Sequence, residues 1–325
     1  MKFRTELEIA PLRHPIDYAD PVLLIGSCFA DRMREKLRSL KFRASGDFCG
    51  PLFNPASIAS AVRRAAEGRA VRAEELHRDA EGWWFHYDTH TLADDPDPAQ
   101  VLARCNAGQE ALRQALEQAR HVVVTFGTAW VYRLRDTGAV VANCHKQPAE
   151  LFSRERLTVP QIVADWSELL AGPLAGRQVL LTLSPVRHLG DGLDGNCLSK
   201  SILRVACAEL EERHENVHYF PAYELLVDDL RDYRFYADDL VHPAPAAVEY
   251  IWERFAQAAL SERTRELLGE VQRVLSLAGH TPRRPESDAW RALCRRTAGQ
   301  MRALEKREGL DFSDEIARLE RCTYR

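Results

Sequence analysis

Three short segments of the chain are apolar at almost every position, and each one ends at a turn. They are PVLLI at residues 21–25, HVVVTF at 121–126 and QVLLTL at 178–183, with a weaker segment at 217–220. A strand with one face in water alternates apolar and polar residues, whereas a strand covered on both faces is apolar throughout. Segments with helical spacing lie between these runs, at 98–120, 160–171 and 198–213. The pattern predicts a three-layer α/β fold, in which helices cover both faces of a parallel sheet.

The carboxyl ends of the three predicted strands carry small or polar residues. The first strand is followed by Gly-Ser at 26–27, the second by Gly-Thr at 127–128 and the third by Ser-Pro at 184–185. In parallel α/β sheets, ligands bind in the crevice outside the carboxyl ends of the strands. We therefore expect the three turns to meet at one site.

Two segments alternate apolar and polar residues as β-hairpins do, and we expect them beside this site. They are WWFHYDTHTL at residues 83–92 and the segment 130–144, whose central turn is Asp-Thr-Gly. After about residue 262 the pattern becomes continuous helix with arginine-rich faces. We predict a main domain over residues 1–262 and a helical C-terminal extension over 263–325.

The composition is that of an ordinary globular protein, with 46% hydrophobic and 28% charged residues. A formal net charge of −4 gives no electrostatic indication of nucleic-acid binding. The first residues lack the apolar core of a secretory signal, and no apolar run is long enough for a membrane span. The eight cysteines show no CxxC pair. We expect a cytoplasmic protein with free thiols, no membrane association and no bound metal or cofactor.

Ser27 lies where the first predicted strand passes into a helix. There its hydroxyl is presented at the edge of the sheet, and the helix N-terminus offers N–H groups to a developing oxyanion. Serine is also a preferred N-cap residue, so the position alone does not distinguish a nucleophile from a cap. Asp239 and His242 stand three residues apart before a helix predicted at 244–259. Such a histidine can accept the proton of a hydroxyl while the carboxylate orients the imidazole.

Several short motifs carry a resemblance to a known family. GSCFA at residues 26–30 spells the name of the GSCFA family, a branch of the SGNH (GDSL-like) hydrolase superfamily, and the rest of the chain to about residue 255 resembles that family as well. The further motifs are FRTELEI at 3–9, FNPASI at 53–58, FGTAW at 126–130, NCHKQP at 143–148, SPVRH at 184–188 and RDYRFYADDLVHP at 231–243.

The resemblance implies a flavodoxin-like three-layer fold and a catalytic triad of Ser27, Asp239 and His242. It also implies an oxyanion hole that includes the backbone amides of Ser27 and Gly50. The superfamily's third donor, the asparagine of a G-x-N-D motif, is missing here because the corresponding segment reads Gly-Thr-Ala-Trp at 127–130. Asn54 or Asn143 is a candidate replacement, and each is equally well explained as a residue that caps a turn.

Residues near the predicted site are candidates for substrate binding. They are Gly127, Thr128, Trp130, His145, Lys146, Arg187 and His188. Arg187 is suited to a carboxylate or a phosphate, although a structural ion pair would also explain it. For His145, a structural network and a substrate contact are both open. Trp130 is expected to pack in the interior unless it forms a wall of the site.

The hypothesis that follows is ester chemistry, with Ser27 as nucleophile and a small-molecule or carbohydrate O-acyl ester as substrate. Transfer of the acyl group to water makes the protein an esterase, and transfer to an acceptor hydroxyl makes it an O-acyltransferase. A catalytically degenerate binding protein is the alternative from another class. Cys28 as nucleophile is less favoured, because the resemblance pairs Asp239 and His242 with the serine. A metal site of His145, His188 and His242 is less favoured as well, since no metal-binding spacing is present. The pattern indicates no oligomeric state.

Overall fold

The structure, a computed structural model, describes residues 4–48 and 50–322. Its strands are β1 Val22–Gly26, β2 Ala44–Ser45, β3 His77–Arg78, β4 Trp84–Phe85, β5 His121–Phe126, β6 Trp130–Leu134, β7 Val140–Val141, β8 Phe152–Arg156, β9 Gln178–Leu183 and β10 Val217–Phe220. Its α-helices are α1 Cys28–Ser39, α2 Pro55–Ala66, α3 Pro98–Gln118, α4 Val159–Ala171, α5 Gly192–Arg213, α6 Ala222–Glu224, α7 Pro245–Ala259, α8 Glu262–Gly279, α9 Asp288–Glu308 and α10 Ser313–Arg321. A π-helical turn, Leu225–Leu230, continues α6.

The central sheet has five parallel strands in the order β10-β9-β5-β1-β2. Numbered along the chain, the five sheet strands stand in the order 2-1-3-4-5, which is the flavodoxin-like arrangement. The strands β1 and β5 are buried at every position, as the continuous apolar runs predict. The predicted α/β class, the parallel sheet and its flavodoxin-like form are therefore confirmed.

Two hydrophobic clusters cover the two faces of this sheet. Along β1, Leu23 and Ile25 contact one cluster, and Val22 and Leu24 contact the other, as expected for side chains that alternate between faces. Helices α2, α3, α4 and α5 pack on the first face. Helices α1 and α7 pack on the second. The architecture is therefore a three-layer α/β/α sandwich.

The helices after residue 262 join the second cluster. Leu267 and Val271 of α8, Met301 of α9 and Ile316 of α10 are buried in the same cluster as β1 and α1. The predicted C-terminal helices are present, and they are packed on the core of the sheet. The division of the chain at residue 262 stays a prediction.

The predicted hairpins have different outcomes. Strands β6 and β7 pair antiparallel across the Asp-Thr-Gly turn, as predicted, and β8 pairs with the other edge of β6. The hairpin predicted at 83–92 is wrong, because its first strand, β4, pairs antiparallel with β3, which precedes it in the chain. Asp79 stabilises that turn by accepting hydrogen bonds from the amides of Glu81 and Trp83. Beyond β4 the chain turns at His86 and forms a 3₁₀ helix over Thr91–Ala93.

The strand order places a crevice at the carboxyl ends of β1 and β5. These two strands are neighbours in the sheet, but the connections that follow them run in opposite directions, to β2 on one side and β9 on the other. Such a topological switch point is where open α/β sheets bind ligands. Within the described residues, no helix combines the length and apolar character needed to span a membrane.

Candidate active site

The turn that carries Ser27 depends on the glycine before it. Gly26 has φ +136°, and a Cβ atom at this position would lie 2.2 Å from the carbonyl oxygen of Thr125. Only glycine allows β1 to end this close to β5. Ser27 then begins α1 as its N-cap, with Oγ accepting a hydrogen bond from the Phe29 amide at 3.4 Å. Ser27 is only 1% exposed.

A cavity of about 280 Å³ lies over this turn. All three turns that were predicted to meet contribute to it. Its lining is Ser27, Cys28, Phe53, Asn54, Gly127, Thr128, Trp130, Tyr132, Val141, Ala142, Ser184, Val186, Arg187 and His188. The convergence of the turns is confirmed, and most of the wall between them is apolar.

The loop after β5 is fixed against the loop that precedes α2. The amides of Gly127 and Thr128 both donate to the Phe53 carbonyl oxygen, at 2.7 and 2.9 Å. On the opposite side, Ser199 of α5 accepts a hydrogen bond from the Ala129 amide at 2.8 Å. Gly127 and Thr128 therefore contribute backbone and a small side chain to the cavity, at the place that the sequence predicts.

Asp239 and His242 form a hydrogen-bonded pair beside the cavity. His242 Nδ1 lies 2.6 Å from Asp239 Oδ2, and Asp239 Oδ1 accepts hydrogen bonds from the amides of Val241 and His242 at 2.9 Å. These hydrogen bonds lower the pKa of Asp239 to about 2. Both side chains are about half exposed. The Arg187 amide donates to the Val241 carbonyl oxygen at 3.1 Å, so the loop that holds the pair touches the cavity wall.

The two backbone amides expected in the oxyanion hole are placed differently from the prediction. The Ser27 amide donates to the Thr125 carbonyl oxygen at 3.1 Å, which continues the pairing of β1 with β5. Gly50 does not line the cavity. It packs against His90, whose side chain leaves no room for a Cβ atom at Gly50. The φ angle of Gly50 is +75°, which also favours glycine. The Ser27 amide is thus engaged by β5, and Gly50 lies outside the cavity lining.

Asn54 lines the cavity and has a donor to offer. Its Oδ1 accepts a hydrogen bond from the Ser57 amide at 2.8 Å, so Asn54 is the N-cap of α2. This bond uses the amide oxygen and leaves the Nδ2 group, which makes no hydrogen bond within residues 4–48 and 50–322. Asn54 is 5% exposed. Both interpretations of Asn54 are therefore compatible, because the capping atom and the candidate donor are different atoms.

The loop 143–146 has a structural role away from the cavity. Asn143 Oδ1 accepts from the His145 amide at 2.8 Å and thereby caps the turn. His145 is buried, with Nδ1 3.2 Å from Asp94 Oδ2 and Nε2 3.0 and 3.1 Å from two backbone carbonyl oxygens within residues 86–89. Lys146 is exposed, and none of the three lines the cavity. The predicted substrate contacts of His145 and Lys146, and the oxyanion role of Asn143, are not found in this geometry.

The basic residues that do line the cavity have different partners. Arg187 lies over the rings of Tyr236 and Tyr233, with its Cζ 3.9 and 5.0 Å from their centroids. It forms no ion pair in the part of the chain that is described. His188 is held by Asp191, whose Oδ2 lies 3.0 Å from Nε2. Of the two, Arg187 is the cation available to a ligand.

Trp130 and Tyr132 form one wall on the cavity side of β6. Their cross-strand neighbours are Arg156 and Arg154 of β8. Arg154 Cζ lies 4.2 Å from the centre of the Trp130 ring, and Arg156 Cζ lies 5.4 Å from it. The Trp130 Nε1 atom is buried and has no hydrogen-bond partner among the residues that the structure describes. Trp130 is thus a wall of the site with an unused donor, as one of the two interpretations predicts.

Comparison with known proteins assigns the family. The model of the GSCFA family matches residues 21–255, which is most of the chain. The chain belongs to the GSCFA family. No curated protein sequence matches it. Among solved structures, it is similar to an acetyl xylan esterase from the rumen bacterium Butyrivibrio proteoclasticus, with 13% identity and a TM-score of 0.30, over 81% of this chain and 66% of that one. The GSCFA protein therefore spans less than two thirds of the length of that esterase.

Three polar residues of α5 hold loops of the cavity in place. Asn196, Ser199 and Lys200 are spaced i, i+3 and i+4 on one face of the helix, and all three are buried. They are not among the site residues predicted from the sequence. The available signal was a polar run, NCLSK at 196–200, on the inward face of a helix that covers the sheet.

The alternative chemistries find little support in the GSCFA protein. Burial raises the pKa of the Cys28 thiol, which disfavours the reactive thiolate. The three histidines of the alternative metal site are each held by a different carboxylate: Asp94, Asp191 and Asp239. Across residues 4–48 and 50–322, no group of three or more histidine, cysteine or acidic side chains could hold a metal ion.

Proposed function

We propose that this GSCFA protein is a serine acyl hydrolase in which Ser27 is the nucleophile and the Asp239–His242 pair is its base. The observation that carries the proposal is the position of Ser27 at the switch point of the sheet, under a cavity whose wall is bonded to the loop of that pair. A serine in a cavity and a carboxylate-oriented imidazole beside it are the parts of a nucleophilic triad.

The protonation state of the pair follows from its hydrogen bonds. Asp239 is ionised at neutral pH, because its pKa is about 2, and so it can only accept. The Nδ1 atom of His242, 2.6 Å from it, must then carry the proton. This tautomer leaves the lone pair on Nε2 to take the proton of the Ser27 hydroxyl as Oγ attacks the ester carbonyl carbon. The imidazolium that forms then protonates the leaving alcohol.

The resting structure has no hydrogen bond between Ser27 and His242 within the described residues. Catalytic hydrogen bonds are often long in ligand-free enzymes and tighten when substrate binds. The proposal therefore requires the exposed loop of His242 to close on the cavity in the substrate complex. The hydrogen bond from the Arg187 amide to the Val241 carbonyl oxygen keeps this loop next to the cavity wall.

For the oxyanion, we assign the Asn54 side-chain amide together with the Cys28 amide at the start of α1. The Phe29 and Ala30 amides already donate to Ser27 Oγ and to the Ser27 carbonyl oxygen. Within the described residues the Asn54 Nδ2 group has no hydrogen-bond partner, and the first N–H groups of a helix have none within the helix. A buried donor that is aimed at the developing charge typically contributes about 10² to 10³ in rate. These donors replace the Ser27 and Gly50 amides of the sequence-based prediction.

The substrate class follows from the size and lining of the cavity. A volume of about 280 Å³ is small for a ligand site, and the walls near Ser27 are apolar, so the acyl group is short. The unpaired Arg187 and the Trp130 wall suit an alcohol that carries hydroxyl or acidic groups, such as an O-acylated carbohydrate or small metabolite. Transfer to an acceptor hydroxyl by the same acyl-enzyme is the alternative outcome.

The first experiment measures hydrolysis of p-nitrophenyl esters of two to eight carbons, together with labelling by a fluorophosphonate probe. We expect the wild type to hydrolyse the shortest esters fastest and to be labelled on Ser27. Ser27→Ala should lose both signals, whereas Ser39→Ala, at the exposed end of the same helix, should keep both. Labelling that persists in Ser27→Ala and is lost in Cys28→Ala would instead identify a cysteine nucleophile.

A further inference from the structure

Lys200 is a buried lysine beside the proposed active site. It is 2% exposed, and its Nζ donates to the Ser184 carbonyl oxygen at 2.7 Å. Nζ also lies 5.3 Å from the centre of the Tyr223 ring. It forms no ion pair in the described part of the chain. Lysines are almost never fully buried without an ionic partner, because the charged form loses its hydration.

The surroundings of Lys200 explain why it is retained as a lysine. Ser184 lines the cavity together with Ser27, and Asn196, one turn before Lys200, accepts a hydrogen bond from the His188 amide at 3.0 Å. Lys200 and Asn196 therefore fasten both ends of the loop after β9. Ser199 fastens the loop after β5 in the same way. One face of α5 thus holds two walls of the cavity.

The charge of Lys200 is poised to change near neutral pH. Burial lowers its pKa to about 7, while the Cys28 thiol and the Glu224 carboxylate act in the opposite direction. Glu224 is itself hydrogen-bonded to the Tyr219 hydroxyl and lies 3.4 Å from Arg204, so it is not available as a close partner. Tyr223 is a further titratable group that lies against the amine.

We propose that Lys200 is a positioning residue for the reaction of Ser27. It holds the loop after β9 against the Ser27 turn, and in its protonated form it places a positive charge behind the oxyanion. The inference rests on the proposed hydrolase function. A neutral amine still donates to Ser184, so deprotonation removes the charge while the loop stays in place. Activity then falls as pH rises through neutrality.

The test compares wild type with Lys200→Met and Lys200→Arg on p-nitrophenyl acetate between pH 5.5 and 9. We expect the wild-type kcat to fall above about pH 7, with KM changed little. Lys200→Met should have a kcat lowered by about tenfold at pH 6 and no alkaline decline, since it has no charge to lose. Lys200→Arg, which stays protonated, should retain kcat at pH 9. An alkaline decline that persists unchanged in Lys200→Met would overturn the proposal.

A second measurement does not depend on ester hydrolysis. Cys28 lines the cavity next to Ser27, and the Lys200 charge lowers the pKa of its thiol. In Lys200→Met the pH–rate curve for alkylation of Cys28 by iodoacetamide, followed on its peptide by mass spectrometry, should shift to lower rates below about pH 7, where the wild-type Lys200 is protonated, and should meet the wild-type curve above that pH. An inactive wild type that shows this shift defeats the hydrolase function and leaves the placement of the charge intact. An active wild type without the shift defeats the role of Lys200 alone.

Discussion

Ser27 is almost completely buried at the end of a central strand, whereas His242 is half exposed on a loop that follows the last strand of the sheet. The backbone around Ser27 is set by close contact between β1 and β5, and a Cβ atom at Gly26 would collide with the Thr125 carbonyl oxygen there. The geometry of His242 is set locally, by three hydrogen bonds to Asp239. One part of the candidate site is held by the core, and the other lies on a half-exposed loop.

From this contrast we expect substitutions in the exposed loop to lower kcat/KM without lowering the melting temperature. His242→Ala should lower kcat/KM by roughly 10⁴ or more, as loss of the general base does in serine hydrolases. Its melting temperature should stay within about 1 °C of wild type, because the side chain is half exposed. The neighbouring exposed Asp238→Ala is the control and should change neither quantity. A large drop in melting temperature for His242→Ala would show that the loop is part of the core.

Substitutions in the buried turn that carries Ser27 should mainly lower the free energy of unfolding. In Gly26→Ala the new Cβ meets the Thr125 carbonyl, and we expect the free energy of unfolding to fall by about 3 kcal/mol or more. Gly138→Ala is a matched control, because Gly138 also has positive φ, +70°, but has open space around it. That substitution should cost only about 1 kcal/mol. Urea denaturation gives both values, and equal losses would contradict a steric requirement at Gly26.

Substitutions of Asn54 separate an effect on stability from an effect on activity. The same side chain caps α2 and is assigned to the oxyanion. Asn54→Asp keeps the oxygen that caps α2 and removes the Nδ2 donor. We expect kcat to fall by about 100-fold with the melting temperature nearly unchanged. Asn54→Ala removes both the capping oxygen and the Nδ2 donor. We expect its kcat to fall as well, and its free energy of unfolding to fall by about 1 kcal/mol. If Asn54→Asp retains wild-type kcat, the oxyanion donors are elsewhere.

The main strands of the sheet could be predicted from the sequence because they depend on local hydrophobic patterns. The strands β1, β5 and β9 are apolar at almost every position and are followed by turns that contain glycine or proline, so their type and their bounds were predicted closely. The segment 83–92 failed because alternation alone does not say which neighbour a strand pairs with. The capping of the preceding turn by Asp79 decided that pairing.

The candidate site was predicted unevenly for the same kind of reason. Ser27, Trp130 and Arg187 follow buried strands, so the strand order brings them to one cavity. His145 resembled a ligand-binding residue in sequence, but its two ring nitrogens face a carboxylate and backbone carbonyls in a different part of the chain. Lys200 was missed because a lysine in a helix is ordinarily exposed, and only the packing of α5 shows that this one is buried.

By itself, the sequence determined the α/β class, the parallel sheet, the family and the serine at the first strand-to-helix turn, because these follow from hydrophobic periodicity and from contiguous motifs. The tertiary structure alone decided which side chains line the cavity with Ser27, which histidine is structural and which lysine is buried. Those properties depend on contacts between residues that are distant in the chain. They arise only when strands and helices pack, since packing determines which polar groups lose water and which partners they then find.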